Sequence, residues 1–390
     1  MNDNPGGAPE DFEAMLRKFL SGQGNLDPEQ LAAAAGLANN PEAMAELARQ
    51  MQLLFAGMTG AAGATDSTGV NWQLAEQQAR SIAKNAAVGV SHKFTDELAA
   101  ALKLGKLWLS KATSISELTN EPKFLTRELW VADSLPLFRL LAEPVANRMS
   151  LALSESLNIS APEELSEMLA GASGLLKSAG ATLFAMQLGQ AIGKLSSEVL
   201  AGGDIGLPIF QEQRAAFVMQ NLDEFVSELG VDRDQALIYL AVRELAHASL
   251  FRHARWLREH VVSQITKYAS EISINTDAVG NLATDFDPSN PDAIREALES
   301  GAFIAPRSED QQSALETIET MLALIEGWVD TVTADACAML PHLDMLREAV
   351  RRKRAVGGPA EKTFGTLIGL ELRPKRLREA AAMWLALTTE

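Results

Sequence analysis

A single cysteine, Cys337, in 390 residues excludes any internal disulfide. The fold must therefore be held by burial, and the chain reads as one suited to a reducing, cytoplasmic compartment. Aromatic residues make up only 6% of the chain, and histidines number five, three of them, His247, His253 and His260, inside one helical region. Basic residues are in deficit, 34 against 51 acidic, for a net charge of −17. That balance favours solubility and argues against nucleic acid or an anionic membrane as partner. Long apolar runs are missing as well. Beyond the N-terminal segment the longest uncharged stretch runs from Ser178 to Gly193, short of the roughly 20 apolar residues of a spanning helix. No membrane span is expected, and the opening Met1-Asn2-Asp3-Asn4-Pro5 has neither the basic nor the apolar region of a secretory signal.

Several catalytic signatures are also absent. No G-x-S-x-G elbow occurs, and Gly357-Gly358-Pro359 lacks the GK[ST] ending of a phosphate loop. A di-iron bundle requires two Glu-x-x-His motifs, and Glu244 with His247 supplies one. Cys337 sits on a helix among alanines, with Pro341 between it and the nearest histidine, His342; it reads as a small packing residue.

What is present is an ordinary globular composition, 47% hydrophobic and 22% charged, in two parts. Residues 1–69 are rich in Gly, Ala, Asn and acids and close in the turn-rich run 60–69; they read as a flexible acidic tail carrying short helices. From Trp72 onward apolar residues recur at three and four, Ala, Leu, Glu and Arg predominate, and alternating β-branched runs are scarce. Residues 70–390 are thus expected to form one mainly α domain with at most a small β-sheet or edge strand. The two extended-looking stretches are 203–210 and 272–275. Five glycines between Gly171 and Gly193 fall in a helical pattern and predict close helix packing.

The chemistry-bearing residues gather further on. Asp232 is placed to cap a helix, with Gln235 as the second half of a capping box, and Leu237, Leu240, Ala241, Glu244 and Ala248 then fall on one stripe with His247 beside it. Arg243-Glu244-Leu245-Ala246-His247 is HExxH with its first histidine replaced by arginine. In the intact motif two imidazoles one turn apart bind zinc, and the glutamate acts as general base on the metal-bound water. Arginine offers no lone pair, so Arg243 cannot be a ligand.

Ser308 and Gln311 form another capping-box signature, opening a long helix in which Glu326 and Asp330 share a face. A helix of this kind supplies the third metal ligand in glutamate-type zincins, and its aspartate holds a ligand histidine in place. Glu326 is therefore the candidate third ligand and Asp330 its supporting carboxylate. His253 lies ten residues after Arg243, the offset of the third histidine in HExxHxxGxxH. On an unbroken helix it points about 120° away from His247, so it can join a metal only if the helix ends first.

Taken with Asp204-Ile205-Gly206-Leu207-Pro208, Leu324-Ile325-Glu326-Gly327-Trp328-Val329-Asp330 and Gly357-Gly358-Pro359-Ala360-Glu361, these segments resemble the zincin-like metallopeptidase family of bacterial hydrolases. The resemblance is to a branch with RExxH in place of HExxH. It implies a mainly helical zincin-like domain with zinc as the cofactor, Glu244 as the catalytic glutamate, His247 as a zinc histidine and Glu326 as third ligand. The departure at Arg243 suggests a degenerate site in which its guanidinium pairs with Glu244 and Glu326 where zinc would sit. Two functions follow: a weakly active or non-catalytic relative whose cleft binds a peptide or protein partner, or an active zinc-dependent hydrolase using His247, Glu326 and a non-standard further ligand. The basic run Arg351-Arg352-Lys353-Arg354 reads as a solvated helix C-terminus, where cations favour the macrodipole and Gly357 ends the helix.

Overall fold

A computed structural model describes residues 70–389 apart from 86, 116, 160–165, 211, 213, 274, 276–304 and 371–372. The expected tail, 1–69, lies outside the described residues. Eleven described helices and one strand pair follow in chain order: α1 (Trp72–Asn85), α2 (His92–Ala112), β1 (Lys123–Leu125), α3 (Arg127–Ile159), α4 (Ser166–Leu195), β2 (Ala216–Val218), α5 (Met219–Glu228), α6 (Arg233–His253), α7 (Arg255–Ser270), α8 (Glu309–Ala336), α9 (Leu343–Val356), α10 (Pro359–Ile368) and α11 (Leu377–Thr389). The domain is mainly α, as its periodicity requires. Among the described residues no helix is long and apolar enough to cross a membrane.

The small sheet lies elsewhere than the sequence suggested. β1 and β2 pair in parallel, with Phe124 opposite Phe217, although more than 80 residues separate them. Segment 203–210 is instead a series of turns, and only Ala201, just before it, bridges to Phe217. Pro208 and the positive φ of Gly206, +83°, favour turns over a ladder. In 272–275 the described residues are likewise not in a strand.

Local signals set the helix starts. Asp232 accepts from the Gln235 amide at 3.1 Å, but the Gln235 side chain accepts from the His342 amide, so only half of that box forms. At α8 both halves form between Ser308 and Gln311. Of the five glycines, Gly189 and Gly193 act by proximity: a Cβ on Gly189 would lie 2.5 Å from the Ala75 carbonyl oxygen, and one on Gly193 would lie 2.9 Å from that of Ala79, so α4 packs backbone-close on α1. The surroundings of Gly171, Gly174 and Gly180 lie outside what is described. Gly327 does the same for α8 against Ala380 of α11.

Two apolar clusters build the interior. One gathers α1, α3, α4, α7, α10 and the first part of α8; the other gathers α2, α5, most of α6, α9 and the end of α8. β2 alternates between them, Ala216 and Val218 facing the first and Phe217 the second, as period-2 geometry dictates. Helices α6 and α8 straddle both clusters, and the polar residues of interest lie at that seam.

Candidate functional site

Helix α6 is buried on nearly every side from Ala236 to Phe251, so its ionisable residues at 243, 244 and 247 are forced inside. Arg243, Glu244 and His247 are all buried, and Glu326 of α8 is 0% exposed. A buried charge must be paired or hydrogen-bonded; Arg243 and the two glutamates have such partners, while His247 is buried in its neutral form.

Glu326 is held by two guanidiniums. Arg243 Nη2 donates to its Oε2 at 2.5 Å, and Arg354 Nη2, from α9, donates to its Oε1 at 3.1 Å. Burial alone would push the Glu326 carboxyl up, but Arg243 and Arg354 hold it down to about 2. Glu244 takes no side-chain donor: its Oε1 accepts from the Ala216 amide of β2 at 3.0 Å and its Oε2 from the Gly203 amide at 3.2 Å. Burial pushes the Glu244 carboxyl up to about 8 in spite of these two amides. Arg243 thus pairs with Glu326 as the sequence suggests, while backbone amides supply the hydrogen bonds to Glu244.

His247 packs its ring 5.0 Å from that of Phe251 and against the turn at Gly203, where an added Cβ would sit 2.4 Å from Nδ1. Only glycine fits there. Its Nε2 is buried without a hydrogen-bond partner, and burial lowers the imidazole to about 4, so it is neutral at pH 7. His247, Glu244, Arg243, Asp204 and Arg354 line a cavity of about 20 Å³, room for roughly one water.

The remaining expected residues lie outside this cavity. Asp330 is buried beside Glu326 on α8 and accepts from Arg347 and Arg351, each with an Nη2 at 2.6 Å; its partners are arginines, and no hydrogen bond joins it to a histidine. His253 is the last residue of α6, on an unbroken helix, and is exposed.

The basic run departs from its expected solvated role. Gly357 does end α9, at φ +60°, but Arg351 turns inward to Asp330 and Arg354 is buried on Glu326. Arg354 also donates to the Asp204 carbonyl. In sequence only the three-residue spacing of 351 and 354 hinted at an inward face, and the surrounding charges masked it. Gly203 and Ala216 act through their amides, for which side-chain identity gives no signal.

Zinc, which the resemblance implies, requires three protein donors and an open position in a catalytic site. As arranged, both oxygens of Glu326 are taken by guanidiniums, both oxygens of Glu244 by amides, and Arg243 has no lone pair. Only His247 Nε2 stands unengaged. Among the described residues no group of three His, Cys, Asp or Glu converges as a metal-holding set, so the residues in this arrangement do not fit the ion.

The site is thus a buried helix carrying Glu and His three residues apart, packed on a second helix that presents a glutamate. The profile of the zincin-like metallopeptidase family matches residues 70–390, and the chain belongs to that family. The fold is similar to the crystal structure of a candidate hydrolase with a novel fold from Chloroflexus aurantiacus, with a TM-score of 0.54 at 16% identity, covering 82% of this chain and 87% of that one. At that identity the likeness concerns the fold alone. No curated protein matches the sequence.

Proposed function

We propose that this zincin-family chain has converted its metal position into an ion-pair hub, and that it binds a peptide or protein partner without activating water. The observation that carries this reading is the occupancy of Glu326: with Arg243 on one oxygen and Arg354 on the other, the third-ligand carboxylate is neutralised by protein cations. Charge-assisted pairs of this kind satisfy a buried carboxylate without a metal. The net charge of −17 makes a nucleic-acid partner a poor match, and the lone buried Cys337 suits a cytoplasmic setting.

A second reading keeps catalysis: His247 and Glu326 would ligate zinc with a further donor, and Glu244 would serve as base. The unpartnered Nε2 of His247, buried at the cavity wall, is the feature that favours it. Elemental analysis of the full chain after incubation with zinc and desalting separates the two, with His247→Ala as control. The hub reading expects well under 0.1 zinc per chain and no cleavage of a casein-derived peptide mixture. Near-equimolar zinc that disappears in His247→Ala would overturn it.

A further inference from the structure

Beside the small cavity lies a chamber of about 530 Å³ between the end of α9, the start of α10 and the segment 195–205. The two share Asp204, Lys353 and Arg354 as walls. The chamber falls in the size range of small-molecule and peptide sites, whereas the cavity behind it admits little more than a water. Nothing in the ion-pair hub accounts for it.

Its polar walls have a definite chemistry. Three consecutive cations, Arg352, Lys353 and Arg354, border it from α9. Arg354 is 6% exposed, and its Nε has no hydrogen-bond partner, although both of its Nη atoms are engaged. A buried guanidinium N–H left unmet costs free energy until an acceptor arrives. Arg352 is exposed at the rim, and no ion pair is seen for it among the described residues.

The opposite wall already displays the matching group. The α10 N-terminus, entered through Gly357 and Gly358 with Pro359 at the first turn, faces the carboxylate of Glu198, whose Oε2 accepts from the Glu361 amide at 3.4 Å. A Cβ on Gly358 would lie 2.0 Å from that oxygen, so glycine there is what lets a carboxylate approach. Helix N-termini favour anions, and here the chain supplies one of its own.

We propose that this chamber receives the free C-terminal carboxylate of a peptide, held by Arg354 Nε and the rim cation Arg352; the assignment rests on the reading of the protein as a peptide-binding family member. Glu198, Asp204 and Glu361 also border the space and offset its three cations, so a single negative charge meets about half the repulsion that a dianion such as phosphate does. A peptide is selected over a small acid by volume, and by the apolar strip of Leu195, Val199, Ile205 and Val356, which offers a seat for the terminal side chain.

The test uses the full chain and two mixed-sequence tripeptide pools, one with free C-termini and one amidated, with bound fractions read by mass spectrometry after ultrafiltration. The free-acid pool should be retained at least tenfold better than the amidated pool. The double variant Arg352→Ala/Lys353→Met leaves the Arg354–Glu326 pair in place and should lower that retention at least fivefold with unchanged circular dichroism; Arg354→Lys should lower it similarly. Equal retention of both pools, retention of neither, or uptake of inorganic phosphate in their place overturns the assignment. Hydrolysis of retained peptides would instead overturn the non-catalytic reading, while the comparison of free acid with amide still decides the chamber's ligand.

Discussion

Arg354 Nη2 lies 3.1 Å from Glu326 Oε1, the oxygen that Arg243 leaves free. Restoring the missing histidine is therefore not sufficient to rebuild a metal site. Arg243→His supplies a second imidazole but leaves Glu326 engaged by a guanidinium, so little zinc uptake is expected. Arg243→His combined with Arg354→Met frees the carboxylate and should bind zinc near equimolar, read by elemental analysis. Equimolar zinc in the single variant would show that Arg354 does not guard the site.

Removing the hub's anion should be costly. Glu326→Gln keeps the shape but leaves the Arg243 and Arg354 charges without their buried counter-ion. The expected loss is about 3–5 kcal/mol, the usual cost of breaking one side of a buried pair, measured by urea denaturation. A loss below about 1 kcal/mol would mean that water already screens the cluster.

Gly203→Ala places a methyl group 2.4 Å from His247 Nδ1, against a ring fixed by Phe251 and a fully packed helix. Overpacking of this kind costs about 1–3 kcal/mol. The loss should appear in thermal denaturation and should be relieved in part by His247→Ala, which opens the space the methyl needs. Additive losses in the double variant would place the effect elsewhere.

Acid acts on three buried groups of the hub, two of which lose stability on protonation and one of which gains it. His247 has its folded value lowered from 6.5 to about 4, so the unfolded chain takes up the proton first and this group's contribution falls as pH drops from about 6.5 toward 4; Glu244, raised from 4.5 to about 8, works the other way, its contribution rising as pH drops from about 8 to 4.5. Glu326, lowered from 4.5 to about 2, contributes stability above pH 4.5 that is lost between about 4.5 and 2. His247→Leu should remove the first loss, about 3 kcal/mol, and leave the other two contributions, as seen in the difference of urea midpoints between variant and parent across pH 4 to 7. An unchanged slope between pH 6.5 and 4 in His247→Leu would assign the acid sensitivity to other groups.

How much of this was legible in the sequence depends on the range of the signal. Caps at Asp232 and Ser308, the all-helical pattern and the inward placement of Glu244, His247 and Glu326 are written in spacings of three and four, and the structure carries them. The β1–β2 pair is three residues on each side and joins segments more than 80 residues apart, too short and too distant for periodicity to reveal. Gly203 and Ala216 bind Glu244 through amides common to every residue. Arg354 was hidden by its neighbours: three of four cations in its run point elsewhere, and only the tertiary demand of a buried Glu326 selects it.

The backbone-close seat of α1 on α4 bears on how the chain is made. Ala75 and Ala79 meet Gly189 and Gly193, yet α1 leaves the ribosome about 110 residues before its partner glycines exist. At about 5–20 residues per second that interval is roughly 6–22 s. Through it, the face that will be covered carries Ala75, Ala79 and Ala83 along its centre, with Trp72, Leu74 and Ile82 as its large groups. The first described helix thus waits with alanines along the centre of its covered stripe, which offers a neighbouring nascent chain less to hold than an unbroken row of leucines would.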